Sequence, residues 1–163
     1  AAGCMTKMRD GSFIELRVPP VVVALFAALL MALVARSATG LRWPTTVRLG
    51  GAVFLIATGI AIAVAGVREF RRASTTVNPL TPAAASAMVR SGIYRHTRNP
   101  MYLGMLLVLA GWAVWLASVA ALAVLPAFVL YMNRLQIEPE ERALASLFGR
   151  DFEEYRRSVR RWL

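Results

Sequence analysis

At 163 residues, 58% hydrophobic and with a mean hydropathy of +0.55, the chain has room for one domain and too little charge for a soluble one. Its net charge of +10 does not mark a nucleic-acid surface, because the arginines flank apolar blocks and no zinc-finger or aromatic RNA-binding signature occurs. Cys4 is the only cysteine, which excludes an intrachain disulfide and a cysteine metal cluster.

Residues 1–12 form a polar leader, expected to be flexible, and the single domain follows as 13–163. The first apolar block, Val21–Ala35, reaches back to Leu16 and comes after Pro19 and Pro20, where proline suits a helix start. No small-residue cleavage pattern follows it, so it reads as a retained anchor. It is short against the roughly 20 residues that cross a bilayer, and snorkelling by Arg17 and Arg36 makes up the difference. A connector runs from Arg36 to Arg48. The second block, Val47–Val67, carries Gly51, Gly59 and Gly66 at intervals of eight and seven residues. Those glycines share one face, which lets another helix approach closely.

Arg68–Asn99 is the longest polar stretch. Thr75–Pro82 reads as irregular loop and Ala83–Val89 as a short interfacial helix. A loop of this length in so small a protein points to function or disorder. Met101–Met132 is too long for one span and short for two. A break at Trp115–Ser118 therefore predicts a tight helical hairpin, with Pro126 bending its second arm. In the tail, Pro139 sits at a helix start or kink, followed by Glu140 and Glu141, and Gly149 can end that helix. Asp151–Trp162 reads as a further amphipathic helix, with Phe152, Tyr155, Val159 and Trp162 at spacings of 3, 4 and 3 and a basic opposite face suited to a membrane surface. The expected fold is all-α integral membrane, with about four transmembrane helices and C-terminal amphipathic cytoplasmic helices.

With four spans, one side of the membrane holds sixteen of the arginines and lysine, and the other holds only Arg36, Arg42 and Arg48. The positive-inside rule then places both termini, the 68–100 loop and the 133–163 tail in the cytoplasm. The segment Tyr94–Tyr102 and the Glu140–Glu141 pair thus face the same compartment. Carboxylates can pair with an ammonium or with ribose hydroxyls, and tyrosine rings can face a sulfonium cation. Asn99 offers donors and acceptors, or simply caps the helix that Pro100 begins. His96 is the only histidine, so the sequence contains no metal site and no hydrolase triad unless His96 is its base. The residues alone reach a small polytopic membrane protein with a polar site on its cytoplasmic face.

An ordered series of motifs extends this. Ser91-Gly92-Ile93-Tyr94, Arg98-Asn99-Pro100-Met101-Tyr102-Leu103-Gly104, Glu140-Glu141-Arg142-Ala143-Leu144, Phe148-Gly149-Arg150-Asp151-Phe152-Glu153-Glu154-Tyr155 and Val159-Arg160-Arg161-Trp162 follow one another. Across roughly residues 68–163 the chain resembles the isoprenylcysteine carboxyl methyltransferase-like membrane methyltransferases of bacterial type, whose pattern the phospholipid N-methyltransferases share. The resemblance implies transfer of a methyl group from S-adenosylmethionine to a lipophilic or lipidated acceptor within the bacterial inner membrane. It implies that Tyr94 helps enclose the cofactor and that Met88 and Val89 line the pocket with backbone groups. It maps the family's His-Pro-x-Tyr element onto Asn99, Pro100, Met101 and Tyr102. Glu140 would hold a polar part of the cofactor.

Two positions depart from that family. Asn99 replaces the usual histidine and cannot titrate near neutral pH, which argues against a general base there. Gln136 stands where the prenylcysteine enzymes carry an arginine facing the substrate carboxylate, and would share a face with Glu140 on a continuous helix. Arg134 is the nearby candidate to replace that charge. Carboxyl methylation is therefore weighed against an amine headgroup or thiol acceptor, and against a non-catalytic lipid-binding protein.

Overall fold

Helices account for every regular element in a computed structural model that describes residues 18–37, 40–73 and 87–163. The leader 1–12 and the predicted loop Thr75–Pro82 lie outside the described residues. In chain order the helices are α1 Pro20–Ser37, α2 Thr45–Arg72, α3 Pro100–Leu116, α4 Val119–Leu122, α5 Val124–Met132, α6 Glu138–Phe148 and α7 Arg150–Ser158. A 3-10 turn, Gly92–Arg95, precedes α3, and a π turn, Asn133–Ile137, joins α5 to α6.

Three stretches are long and apolar enough to cross a membrane: Pro20–Ser37, Thr45–Arg72 and the continuous run Val119–Phe148. The fourth apolar helix, Pro100–Leu116, is shorter at 17 residues. The turn predicted at Trp115–Ser118 is present. Ala117 takes a left-handed conformation (φ 48°), and Ser118 caps α4 by accepting from the Ala121 N–H. The arm bearing Pro126 is interrupted at Ala123, three residues before the proline. Proline removes a donor and crowds the preceding turn, so the regular ladder yields there.

The glycine face of α2 meets α3. A Cβ on Gly59 would fall 2.6 Å from the Gly104 carbonyl oxygen, and one on Gly104 would fall 2.5 Å from the Gly59 oxygen. Gly111 faces Ile56 and the Ala52 carbonyl, while Gly66 faces the Pro100 ring. Backbones approach this closely only without side chains, which the sequence pattern of Gly51, Gly59 and Gly66 foretold on the α2 side. On the other face of α3 a core forms from Ala27 and Met31 of α1, Leu109 and Ala113 of α3, and Phe128 and Met132 of α5. The Trp112 indole N–H donates to the Ala28 carbonyl at 3.1 Å, fixing α1 against α3. At the far end, Arg48 stacks over Trp115 at 5.3 Å and donates to its carbonyl, so the start of α2 is tied to the end of α3.

Three boundaries differ from expectation. α2 continues through Arg68, Glu69 and Phe70 to Arg72, so the polar loop starts five residues later than its charge suggested. The charged turn stays helical because Glu69 is buried against the following loop and pairs with Arg72 at 3.0 Å. Residues 87–90 are not helical, and the rest of the expected Ala83–Val89 helix lies outside the described residues. α7 stops at Ser158, not Trp162. Val159 turns extended (φ −126°, ψ 135°), and the last residues cross back over the loop before α3, where backbone and side-chain partners replace the helical ones.

Candidate functional site

Glu69 anchors one wall. It is buried at the end of α2, accepts from the Ser91 hydroxyl and receives Arg72 on its other oxygen. Gly92 must be glycine here: its φ is +57°, and an added Cβ would sit 2.6 Å from the Glu69 carboxyl carbon. That tight passage throws the chain into the 3-10 turn and sets Tyr94 inward. Sequence reasoning missed Glu69. The available signal was a single acid among Arg68, Arg71 and Arg72, which a solvated basic face would not need.

Tyr94 is buried, packs edge-on against Phe70 with centroids 5.4 Å apart, and accepts on its carbonyl from the Tyr155 hydroxyl at 2.8 Å. Its own hydroxyl is buried without a partner. Burial first, and then the nearby charge of Glu140, holds this phenol well above the usual tyrosine range, so it remains a proton-bearing donor. Tyr102, one turn into α3 and also buried, donates to Glu140 Oε2 at 3.0 Å. The partly buried Glu140 carboxylate therefore lies between two tyrosines from separate elements.

The remaining expected residues fall in different places. Val89 is buried and Met88 half-buried on the strand-like approach to Ser91. Pro100 is fully buried against Gly66, with Met101 beside it, so both seat the start of α3 on α2. Asn99 occupies the N-cap position of α3, but its side chain makes no capping bond. Its amide N–H₂ donates to the Arg161 carbonyl at 2.9 Å. The expectation of a side-chain cap is thus corrected, because the crossing tail offers a nearer acceptor. Thr97 also donates to the Arg161 carbonyl, and the Arg98 N–H donates to the Arg160 carbonyl.

Charge is used up beside this. Arg161 grips Glu141 with Nη2–Oε2 at 2.6 Å and Nε–Oε1 at 3.2 Å, and Arg98 reaches Glu141 Oε1 at 3.1 Å. The Trp162 indole donates to Asn133 Oδ1 at 3.0 Å. Gln136 is fully buried. Its amide N–H₂ donates to the Val18 carbonyl at 2.8 Å, while its oxygen has no partner. The π turn at Asn133–Ile137 shifts the helical phase, so Gln136 faces the start of α1 while Glu140 faces Tyr102. Arg134 lies on the exposed side, 4.0 Å from Glu138.

Tyr94, Tyr102 and Glu140 thus converge, with Glu69 behind them. Asn99 and Arg134 turn elsewhere. Among the described residues no cluster of histidine, cysteine and acids could hold a metal ion.

Residues 47–151 match the phospholipid methyltransferase family, a stretch that begins in the first turn of α2 and includes Tyr94, Tyr102 and Glu140. An uncharacterized protein of Haemophilus influenzae is 43% identical over 63 residues, which are 39% of this chain and the whole of that protein. No solved structure shows significant similarity. With more than half of its length matched, and with helices suited to a membrane, the chain belongs to the phospholipid methyltransferase family, a family of membrane methyltransferases.

Proposed function

We propose that the chain transfers a methyl group from S-adenosylmethionine to a lipid-borne amine, at the membrane face where Tyr94, Tyr102 and Glu140 meet. The observation that carries this reading is the Tyr102–Glu140 bond beside the unpartnered Tyr94 hydroxyl. The residues suit the cofactor chemically. Glu140 offers a carboxylate to hydroxyls or an ammonium, the two rings offer π faces to a cation, and the Tyr94 hydroxyl lacks a partner that a ligand can supply. When bound, S-adenosylmethionine supplies a methyl group already made electrophilic by the sulfonium.

The protein's task is then placement and exclusion of water. Tyr102 orients Glu140, Glu69 and Gly92 set the turn that carries Tyr94, and the α2–α3 glycine contact holds both walls still. Positioning of this kind can supply about 7–11 kcal/mol of a barrier in favourable cases. The single domain 13–163 would present this site to the cytoplasm, with α1, α2, α3 and the α4–α5 arm as four spans of a bacterial inner-membrane protein.

An amine is favoured over a carboxylate by the charges nearby. Gln136 is neutral, and the part-buried Arg98 and Arg161 are both committed to Glu141. A carboxylate acceptor would face no spare buried cation among these groups, and an unpaired buried charge is costly. The competing acceptors are a prenylcysteine carboxylate and a lipophilic thiol.

The test is transfer of labelled methyl from S-adenosylmethionine into membrane lipid by detergent-purified protein. Base-stable label in an amine headgroup is expected. Base-labile esters would move the assignment to a carboxylate. Absence of S-adenosylmethionine binding, with or without lipid present, would overturn the reading and leave a lipid-binding protein.

A further inference from the structure

A polar cleft opens at Tyr155, whose hydroxyl donates to the Tyr94 carbonyl. It has a volume of about 490 Å³ and is lined by Arg90, Arg95, Glu154, Tyr155, Ser158 and Val159. We propose that this cleft binds the phosphodiester headgroup of a singly charged anionic phospholipid.

Two arginines share this cleft, and one of them is fixed in place by an aromatic ring. Arg72, Arg98, Arg156 and Arg161 are engaged by carboxylates. Arg90 is in no ion pair among the described residues. Its guanidinium lies 5.9 Å over the Tyr155 ring and donates one N–H to the Asp151 carbonyl at 2.5 Å. A guanidinium has five N–H donors, so stacking and one bond fix its plane while leaving most donors for a ligand. Arg95 lines the same cleft, is exposed, and has no ion pair among the described residues. Ser158 brings a hydroxyl whose proton goes to the Tyr155 carbonyl, leaving its oxygen lone pairs outward. Planar guanidinium forks match phosphate oxygens in geometry as well as charge.

Glu154 sets the charge of the ligand. Two guanidiniums against one carboxylate leave a single net positive charge on the lining. That suits a phosphodiester carrying one negative charge better than a phosphomonoester carrying up to two. A lipid source follows from position. The cleft lies on the loop that runs directly into α3 and on α7, so a headgroup at the bilayer surface can reach it while its chains stay in the membrane. Tyr155 forms the shared wall: one face is covered by Arg90, and its hydroxyl holds the Tyr94 carbonyl. A headgroup drawing on Arg90 therefore bears on the element that carries Tyr94.

The experiment is native mass spectrometry of the whole chain released from nanodiscs of phosphatidylcholine with phosphatidylglycerol. The wild type should retain phosphatidylglycerol selectively. Arg90→Gln with Arg95→Gln should lower that retention about tenfold or more, the worth of charge-assisted bonds lost. Arg71→Gln, which removes an exposed arginine from the end of α2 outside the cleft, should retain it. Equal loss in the Arg71 variant, or unchanged retention in the paired variant, would overturn the site. Full displacement of the lipid by millimolar inorganic phosphate would overturn the lipid assignment. Native-like thermal unfolding of the paired variant is the accompanying check that it is folded.

Discussion

The Tyr102 hydroxyl donates to Glu140 across 38 residues of chain, and this 3.0 Å bond links the first turn of α3 to the first turn of α6 beside the Arg98–Glu141 ion pair. Tyr102 is buried and Glu140 partly so. Tyr102→Phe keeps the ring and removes only the donor. Bonds to a charged group contribute about 1.5–3 kcal/mol, so S-adenosylmethionine affinity should fall about tenfold to a hundredfold in calorimetric titration. Glu140→Gln should weaken binding at least as much. Arg134→Gln, on the exposed side, should leave it unchanged. Equal affinity in all four proteins would remove Glu140 and Tyr102 from the cofactor site.

Gly92 and Gly149 separate backbone strain from steric conflict. Both have positive φ, +57° and +50°. A Cβ at Gly149 would touch nothing within 4 Å, whereas one at Gly92 would strike the Glu69 carboxylate. Gly149→Ala should therefore cost only the backbone term of a non-glycine residue held at φ +50° and ψ −122°, about 1–3 kcal/mol. Gly92→Ala should cost more than that, because Glu69 must also leave Ser91 and Arg72. Its distinguishing signature is loss of cofactor binding at temperatures where the protein is still folded, since Tyr94 follows two residues later. Denaturant unfolding in mixed micelles and cofactor titration together give both readouts.

The α2–α3 contact predicts a position-specific tolerance to alanine. At Gly104 the added carbon meets the Gly59 carbonyl oxygen at 2.5 Å, and at Gly50 it meets nothing within 4 Å. Backbone oxygen cannot swing aside as a side chain can, so Gly104→Ala must separate the helices. We expect about 1–3 kcal/mol of destabilisation for Gly104→Ala, the usual cost of overpacking. Gly50→Ala should be neutral to stabilising by up to about 1 kcal/mol, as for an open glycine inside a helix. Similar losses at both positions would mean that close packing does not hold these helices.

The sequence legibility of this chain follows the range of the interactions involved. Apolar length announced α1 and α2, glycine spacing announced the α2 face, and Trp115–Ser118 announced the turn, because each is a local property of the chain. Tyr94, Tyr102 and Glu140 were named through ordered motifs, and the fold brings those three together. The misses are all tertiary. Nothing local says that Glu69 is buried, that the π turn rotates Gln136 away from Glu140, or that Asn99 will find a carbonyl 62 residues on. The periodicity of Phe152, Tyr155, Val159 and Trp162 does bury Phe152 and Tyr155. Yet Trp162 reaches the core by an extended crossing instead of a helix, because Asn133 and the loop before α3 offer it partners there.

That crossing gives the last prediction. The tail from Val159 is held by Arg98 and Asn99 on its backbone, by Glu141 on the Arg161 side chain and by Asn133 on the Trp162 indole. Asn99→Leu removes the amide donor and leaves the part-buried Arg161 carbonyl with only the 3.3 Å Thr97 bond. An under-satisfied buried acceptor costs about 1–3 kcal/mol, enough to raise the population of detached tail about fivefold or more. Limited trypsin digestion followed by mass spectrometry should then show faster cleavage after Arg160 and Arg161 than in the wild type. Asn99→His places a ring N–H within reach of the same carbonyl and should restore part of the protection. If Asn99→Leu is digested no faster than wild type, Asn99 does not hold the tail, and its amide is free to serve the neighbouring site instead.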